Sequence, residues 1–538
     1  MYINRFFTFC ITALLLSGCA TTTPDTDMDW FDEYGTLTTG NPIQMQYGRL
    51  SDAYGTDATD QDATHHMAVM LPLSGPNATV GKTIRTSVEA AILQSAPDNL
   101  SVAFYDTANG DISSVIENAL ANNPDIIVGP VFANNARILR ESKPENIPVL
   151  SFTSDATAVG NGVMTMALMP TNSVELIVRE MKSDGANKFI IMAPDTSSGR
   201  LMAGTAKSAA EQNNLTISGI FYYNEKDSDS IKNATISASM HNARTLAHTR
   251  AREVLSDILT NERLTAIEKS NLTYQLEKLS KSDTVGTVPY DAILFLGSGD
   301  DTKTLASFLR YYNVGARDAK FYGTTMWDGS NIASDFTMSG AKFATMPDIN
   351  ENFSALYEQI SGAQPNRLAT FGYDATNMAI GMIYSDKSNA AHLLNPSGYM
   401  GTDGLFRMNP TGTSERALRI VELDGSGAVR EVKPAATNFI VPIYNIEQRH
   451  ISPADAMELE TDGIDPDDYI RLPERLQNKY RSKTIGAHTN VTPTIQKSAL
   501  IAILPEDDSD VIEPAEYTPI KLESVKRSYI DEYEIYED

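Results

Sequence analysis

From residue 65 onward, short apolar runs alternate with helical stripes. Met67-Ala68-Val69-Met70-Leu71-Pro72-Leu73 is continuously apolar and predicts a buried strand, which Ser74-Gly75-Pro76 ends. Ile84, Val88, Ala91 and Ile92 then share one helical face. Residues 100–105 predict a second strand, and Ile112, Val115, Ile116, Ala119 and Leu120 a second helix. Ile126-Ile127-Val128 is a third strand, residues 132–141 a third helix, and Pro148-Val149-Leu150-Ser151-Phe152 a fourth strand. Runs apolar on both faces, separated by helix-length segments, are what a parallel sheet covered on both sides requires.

The alternation restarts after Pro170. Val174, Ile177, Val178 and Met181 mark a helix face, and Phe189-Ile190-Ile191-Met192 a strand with a helix after it. Further strands are expected at 216–223, 292–296 and 321–323. Two such blocks predict two α/β lobes. Residues 231–285 break the pattern: the stretch is polar, with Leu272, Leu276 and Leu279 at helical spacing, and reads as a helical insertion in the second lobe. Helices are expected around Leu356 and Ile360 and over 368–384, and short strands at 401–406, 418–423 and 428–432. Lobe 1 is thus expected at 65–168 and 337–397, and lobe 2 at 171–336 and 398–449.

Charge sharpens the two ends. The chain carries 69 acidic against 43 basic side chains, a net charge of −26. Residues 20–64 hold nine acids and one base, and residues 450–538 hold 20 acids and nine bases. Residues 19–64 therefore read as an acidic flexible tether, and 450–538 as an acidic, largely disordered tail with a short helix near 473–480. So negative a chain is not a nucleic-acid binder, which needs cationic cover for phosphates.

Residues 1–18 read as a signal peptide: Arg5 precedes the largely apolar stretch 6–16, too short to span a bilayer. Leu16-Ser17-Gly18-Cys19 resembles the bacterial lipobox, which implies lipid on the Cys19 sulfur and a membrane attachment without a spanning helix. Ala20 resembles outer-membrane sorting. Cys10 leaves with the signal peptide, so no thiol remains for a disulfide, metal or nucleophile.

Candidate chemistry is thin. Gly81-Lys82-Thr83 opens a helix after a strand, but five residues rather than four separate Gly75 from Gly81, against a phosphate loop. His65-His66 lacks the further ligands a metal needs. Gly297-Ser298-Gly299-Asp300-Asp301 reads as a capped strand-to-helix turn. With no nucleophile and base in view, no catalytic residue, metal or cofactor is expected and the chain reads as a non-enzyme.

Ala68-Val69-Met70-Leu71-Pro72-Leu73-Ser74-Gly75-Pro76, Asp125-Ile126-Ile127-Val128-Gly129-Pro130-Val131 and Ile147-Pro148-Val149-Leu150-Ser151 resemble the cleft strands of type I periplasmic binding proteins. That implies a two-lobed α/β fold, each lobe a parallel sheet flanked by helices, over about residues 67–444. Asp291-Ala292-Ile293-Leu294-Phe295-Leu296, Leu368-Ala369-Thr370-Phe371-Gly372-Tyr373-Asp374-Ala375 and Gly401-Thr402-Asp403-Gly404-Leu405-Phe406 resemble, more narrowly, the carboxy-terminal domain of the penicillin-binding protein activators. These are outer-membrane lipoproteins that stimulate a peptidoglycan synthase, which implies such a synthase as partner. Their helical-repeat domain has no counterpart in the residues before 65. The resemblance places a cleft at Ser74, Gly75, Asn77, Phe132, Ser151, Thr153 and Ser154 in lobe 1, and at Asp195, Ser298, Met326 and Asp328 in lobe 2. Met326 stands where amino-acid-binding members carry an acid, so the amino-acid set is incomplete, and the cleft takes another small molecule or none. The alternative is a receptor delivering an amino acid, amide or related solute to an importer.

Overall fold

The computed structural model describes residues 42–44, 64–96, 99–384, 393–439, 459 and 464–485. A two-residue strand, β1 (Ile43–Gln44), comes first. The first lobe follows as β2 (His65–Leu71), α1 (Ala78–Ser95), β3 (Leu100–Asp106), α2 (Ile112–Leu120), β4 (Ile126–Val128), α3 (Ala133–Ser142), β5 (Val149–Ser151) and β6 (Val163–Thr165). Its sheet is parallel throughout, in the order β3-β2-β4-β5-β6.

The second lobe holds α4 (Pro170–Ser183), β7 (Lys188–Pro194), α5 (Ser197–Gln212), β8 (Thr216–Tyr223), α6 (Ser228–Ala238), α7 (His241–Asn261), α8 (Ala266–Leu279), β9 (Ala292–Phe295), α9 (Gly299–Tyr311), β10 (Lys320–Gly323) and β11 (Lys342–Thr345). The chain then returns to lobe 1 as α10 (Glu351–Ser361) and α11 (Arg367–Tyr384), which bury Phe353, Tyr357, Ala369 and Tyr373 against Ala90 and Ala91 of α1. β12 (Tyr399–Gly401), β13 (Gly404–Met408) and β14 (Ser414–Arg416) join β1 in a separate four-stranded sheet. β15 (Arg419–Leu423) and β16 (Val429–Lys433) complete the second lobe's sheet, whose order is β16-β15-β11-β10-β9-β7-β8. α12 (Glu474–Ile485) closes the described chain.

The lobes repeat one design. In each, an aspartate just before the third strand ties down the start of the first. Asp125 Oδ2 accepts the His66 N–H at 2.7 Å, and Asp291 Oδ2 accepts the Asn187 N–H at 3.0 Å. The strands between are buried because helices cover both faces, which is why their sequences are continuously apolar.

Several expectations are corrected. Lys342–Thr345 pairs with both β10 and β15, so the chain leaves the second lobe after Thr345 rather than at 337. Within 398–449, Tyr399–Arg416 forms its own sheet rather than part of lobe 2. Inside the proposed tether, Ile43–Gln44 pairs in parallel with Tyr399–Met400. The proposed tail is folded over 464–485. Ile464, Ile470, Leu476 and Tyr480 are buried in the core that holds Leu255, Ile258, Leu272 and Leu279 of the insertion. Arg475 bonds Glu268, Lys479 bonds Glu262, and Gln275 exchanges two bonds with the Arg471 backbone. The signal peptide, Cys19 and the rest of both flanks lie outside the described residues.

Candidate functional site

Topology sets the cleft. β6 ends at Thr165, and after four intervening residues Pro170 starts α4, whose far end leads into β7. A short link therefore runs from the carboxyl edge of the first sheet to that of the second. The link from β11 to α10 makes the same passage in reverse. The carboxyl edges of the two sheets thus face each other, the place where open α/β sheets bind ligands. The predicted cleft residues sit on those edges, at the ends of β2, β4 and β5 in lobe 1 and of β7, β9 and β10 in lobe 2.

Their side chains are largely occupied with holding the loops. Asp106 Oδ1 accepts the N–H groups of Leu73, Ser74 and Ala108 at 2.9, 3.3 and 3.0 Å. Burial works against that carboxylate, but the bonds from Ser74, Ala108 and Leu73 hold it below the usual range. Ser74 and Gly75 are exposed, and Gly75 takes φ +73° in the turn. Asn77 precedes α1 and Phe132 precedes α3, neither with a side-chain cap bond. Ser151 is fully buried and donates to the Pro130 carbonyl at 2.8 Å. Thr153 is buried and its hydroxyl accepts the Asp155 N–H, while Ser154 is half-buried beside it.

In lobe 2, Asp195 is exposed and paired with Arg200 at 2.6 Å. Ser298 caps α9, accepting the Asp301 N–H and donating to the Asp301 carboxylate at 2.7 Å. Met326 is half-buried in the turn after β10. Asp328 accepts a 2.5 Å bond from Thr345 Oγ1; burial pushes its carboxyl up to about 6, against that bond and the nearby Arg367 and Arg419. Ser151 and Ser298, the best placed of the hydroxyls, thus have their protons committed to the protein itself.

The Gly81 turn has a packing role, and its counterpart is Gly199. A Cβ on Gly81 would lie 2.1 Å from the Pro72 carbonyl oxygen, and one on Gly199 2.1 Å from that of Pro194. Each glycine lets the helix that follows the first strand of its lobe press against the end of that strand. Gly81→Ala and Gly199→Ala are each expected to cost about 1–3 kcal/mol, as overpacking does. Urea denaturation checks this, and an unchanged midpoint in both would contradict the close packing.

A buried charged network lies beside the first lobe crossing, and sequence reasoning missed it. Arg416 Nη1 donates to Asp403 Oδ1 at 2.9 Å and Nη2 to the Met166 carbonyl at 2.6 Å. Its guanidinium carbon lies 4.4 and 4.8 Å from the ring centres of Phe371 and Phe406. Asp403 also accepts from Thr370 Oγ1 on α11. Ser414 Oγ donates to the Ala167 carbonyl at 2.6 Å. One guanidinium therefore ties the first crossing, the returning helix and the four-stranded sheet together. A visible signal was available: Asp374 and Asp403 interrupt otherwise apolar or glycine-rich stretches.

Asp374 is wholly buried and accepts the Thr402 N–H at 3.1 Å. Burial, and then the charge of Asp403, pushes its carboxyl up to about 8, opposed by Arg416 and Thr402. Such an acid holds its proton more tightly folded than unfolded. Its stabilising contribution is complete below the unfolded value near ~4 and is lost as pH rises through about 8. Asp328 acts in the same direction over a narrower window, up to about 6. Asp374→Asn is expected to flatten the decline in melting temperature between these limits. A decline equally steep in the variant would refute the assignment.

Two cavities lie away from these residues. A small one sits between α4 and α5, and one of about 740 Å³ lies at the end of α9.

This chain resembles several known proteins. It is 26% identical over 162 residues to penicillin-binding protein activator LpoA of Pasteurella multocida, covering 29% of this chain and 28% of that one. It is 24% identical over 308 residues to the activator LpoA of Dickeya chrysanthemi, covering 54% of this chain and 42% of that one. The chain thus spans less than half the length of these curated relatives. Among solved structures, one described as a putative branched-chain amino acid ABC transporter from Rhodospirillum rubrum superposes with a TM-score of 0.51 at 15% identity. The superposition covers 69% of this chain and all of that one. That likeness confirms the two-lobed binding-protein fold. Residues 56–382 match the family model described as LppC putative lipoprotein, and the chain belongs to that family.

Proposed function

We propose that this chain is a lipid-anchored, non-enzymatic lipoprotein that faces the periplasm from the outer membrane and stimulates a penicillin-binding protein in peptidoglycan synthesis. The observation that carries the reading is the 308-residue similarity to a protein named as a penicillin-binding protein activator, together with membership of a lipoprotein family. Cys19 supplies the anchor. The cleft supports a regulatory reading over a transport one: Ser151 and Ser298 are already bonded within the protein, and Arg416 ties the first crossing, which a closing receptor would flex.

The test is reconstitution. The purified chain, added to the bifunctional penicillin-binding protein of the same bacterium, is expected to raise glycan polymerisation or crosslinking several-fold. No change in either rate sinks the proposal. The receptor alternative rests on fold likeness to a transporter component. It requires a solute that stabilises the protein by about 2.7 kcal/mol at 100 times its dissociation constant. A thermal-shift screen of amino acids, amides and wall fragments is expected to give no such shift.

A further inference from the structure

The cavity at the end of α9 brings two arginines beside an exposed aromatic ring. Arg310 lies in the last turn of the helix, Arg317 follows in the next turn, and Phe336 lies beside them 67% exposed. Tyr311, next to Arg310, is 76% exposed. The Arg310 guanidinium carbon lies 5.2 Å from the centre of the Phe336 ring. Among the described residues neither Arg310 nor Arg317 has a carboxylate partner. The acids at the rim are already engaged. Asp318 Oδ2 accepts the Gly315 N–H at 2.8 Å, and Asp335 Oδ1 accepts from the Thr337 N–H and hydroxyl at 2.9 and 2.7 Å. Arginine beside exposed aromatic rings is the composition of an interface hot spot.

The same chain carries a complementary segment. Residues 486–538 hold 12 acids against four bases. They end in Tyr529-Ile530-Asp531-Glu532-Tyr533-Glu534-Ile535-Tyr536-Glu537-Asp538, which offers aromatic and aliphatic anchors interleaved with carboxylates. Of the preceding segment, Tyr469 lies on the side of the cavity, whereas Lys479 and Tyr480 are bonded to Glu262, at the opposite end of α7 from Arg244. A Cβ on Gly286 would meet the Tyr469 ring. Arg244 Nη2 bonds the carbonyls of both Gly286 and Asn313, and Asn313 lines the cavity. More than forty residues separate Ile485 from Tyr529, and at about 3.3 Å each when extended their length does not restrict the approach. Tethering of this kind raises the effective concentration of a segment to roughly millimolar.

We propose that residues 529–538 dock on the Arg310–Arg317–Phe336 surface of their own chain, with carboxylates on the two guanidiniums and a tyrosine ring against Phe336. This inference concerns the chain alone and stands whether or not it activates a synthase.

The test uses the full chain and a full-length Tyr533→Ser/Tyr536→Ser variant, with a synthetic decapeptide of residues 529–538 as probe. Amide exchange over 306–318 is expected to be at least fivefold faster in the tail variant. The decapeptide is expected to bind that variant at least tenfold more tightly than the parent, whose own segment competes, and to weaken with salt. Adding Arg310→Gln and Arg317→Glu removes both differences. Arg317→Glu alone, on an exposed turn, gives the same sign should the pair disturb folding. Equal exchange in parent and tail variant, or equal affinity of the decapeptide for both, overturns the proposal. So does peptide binding that survives loss of both arginines.

Discussion

Asp403→Asn is expected to destabilise the folded protein by about 3–5 kcal/mol, the usual cost of stranding one member of a buried ion pair. Asp403 is 1% exposed and Arg416 5%, so the guanidinium left behind has no water to turn to. Its Nε already has no acceptor, and its remaining bond is to the Met166 carbonyl. Arg416→Met is expected to cost less, because a methionine can fill space against Phe371 and Phe406 and Asp403 keeps its bond from Thr370. The double variant should then fall well short of the sum of the two singles, as coupled partners do. Guanidinium denaturation of all four proteins measures this. An Asp403→Asn protein within 0.5 kcal/mol of the parent would show that the pair does not hold the first crossing.

The strands of both lobes were legible because parallel strands covered on both faces must be continuously apolar. Ile126-Ile127-Val128 and Ala292-Ile293-Leu294-Phe295 are buried at every position. The aspartate before each of them was legible too, as part of a family motif, although its bond to the neighbouring strand was not. Pairing hid what period could not show. Ile43–Gln44 is too short to carry any pattern, and Lys342–Thr345 reads equally well as an end to one lobe or a start to the other. The tail's short helix near 473–480 was legible, but its packing against the insertion was concealed by averaging. Summed with the acids around them, Arg471, Arg475 and Lys479 looked like minor members of an acidic stretch. In the fold Arg475 and Lys479 answer Glu268 and Glu262, two hundred residues earlier in the chain.

The cleft was legible in position and not in role. Residue types at strand ends can be read from the pattern, since the turn after each apolar run is visible. Whether Ser151 points its proton at a ligand or at the Pro130 carbonyl depends on which backbone lies beside it, which is a matter of tertiary structure. The same holds for Ser298, whose proton goes to Asp301. The hinge network was the larger omission. A charged residue inside an apolar stretch looks like tolerance of polarity until the fold shows Asp374 and Asp403 buried with Arg416.

Cys19→Ser is expected to move the protein almost wholly from the membrane fraction to the soluble one. The argument is energetic. Each buried methylene of an acyl chain contributes about 0.8 kcal/mol, and stable attachment needs more than one chain or a second membrane signal. Nothing described in this chain replaces it. Among the described residues no helix is long and apolar enough to cross a membrane, and an excess of 26 negative charges opposes an anionic lipid surface. The proposed function predicts a sharp division between assays. In the purified system the substituted protein should stimulate the synthase within about twofold of the parent, because the described lobes do not depend on the anchor. In cells it should fail to support the synthase, because the protein is no longer held at the membrane that orients it. Density-gradient fractionation together with both activity assays checks this. A Cys19→Ser protein that stays with the membrane would remove lipidation as the anchor, and one that loses stimulation in the purified system would place the active contact at the amino terminus rather than on the lobes.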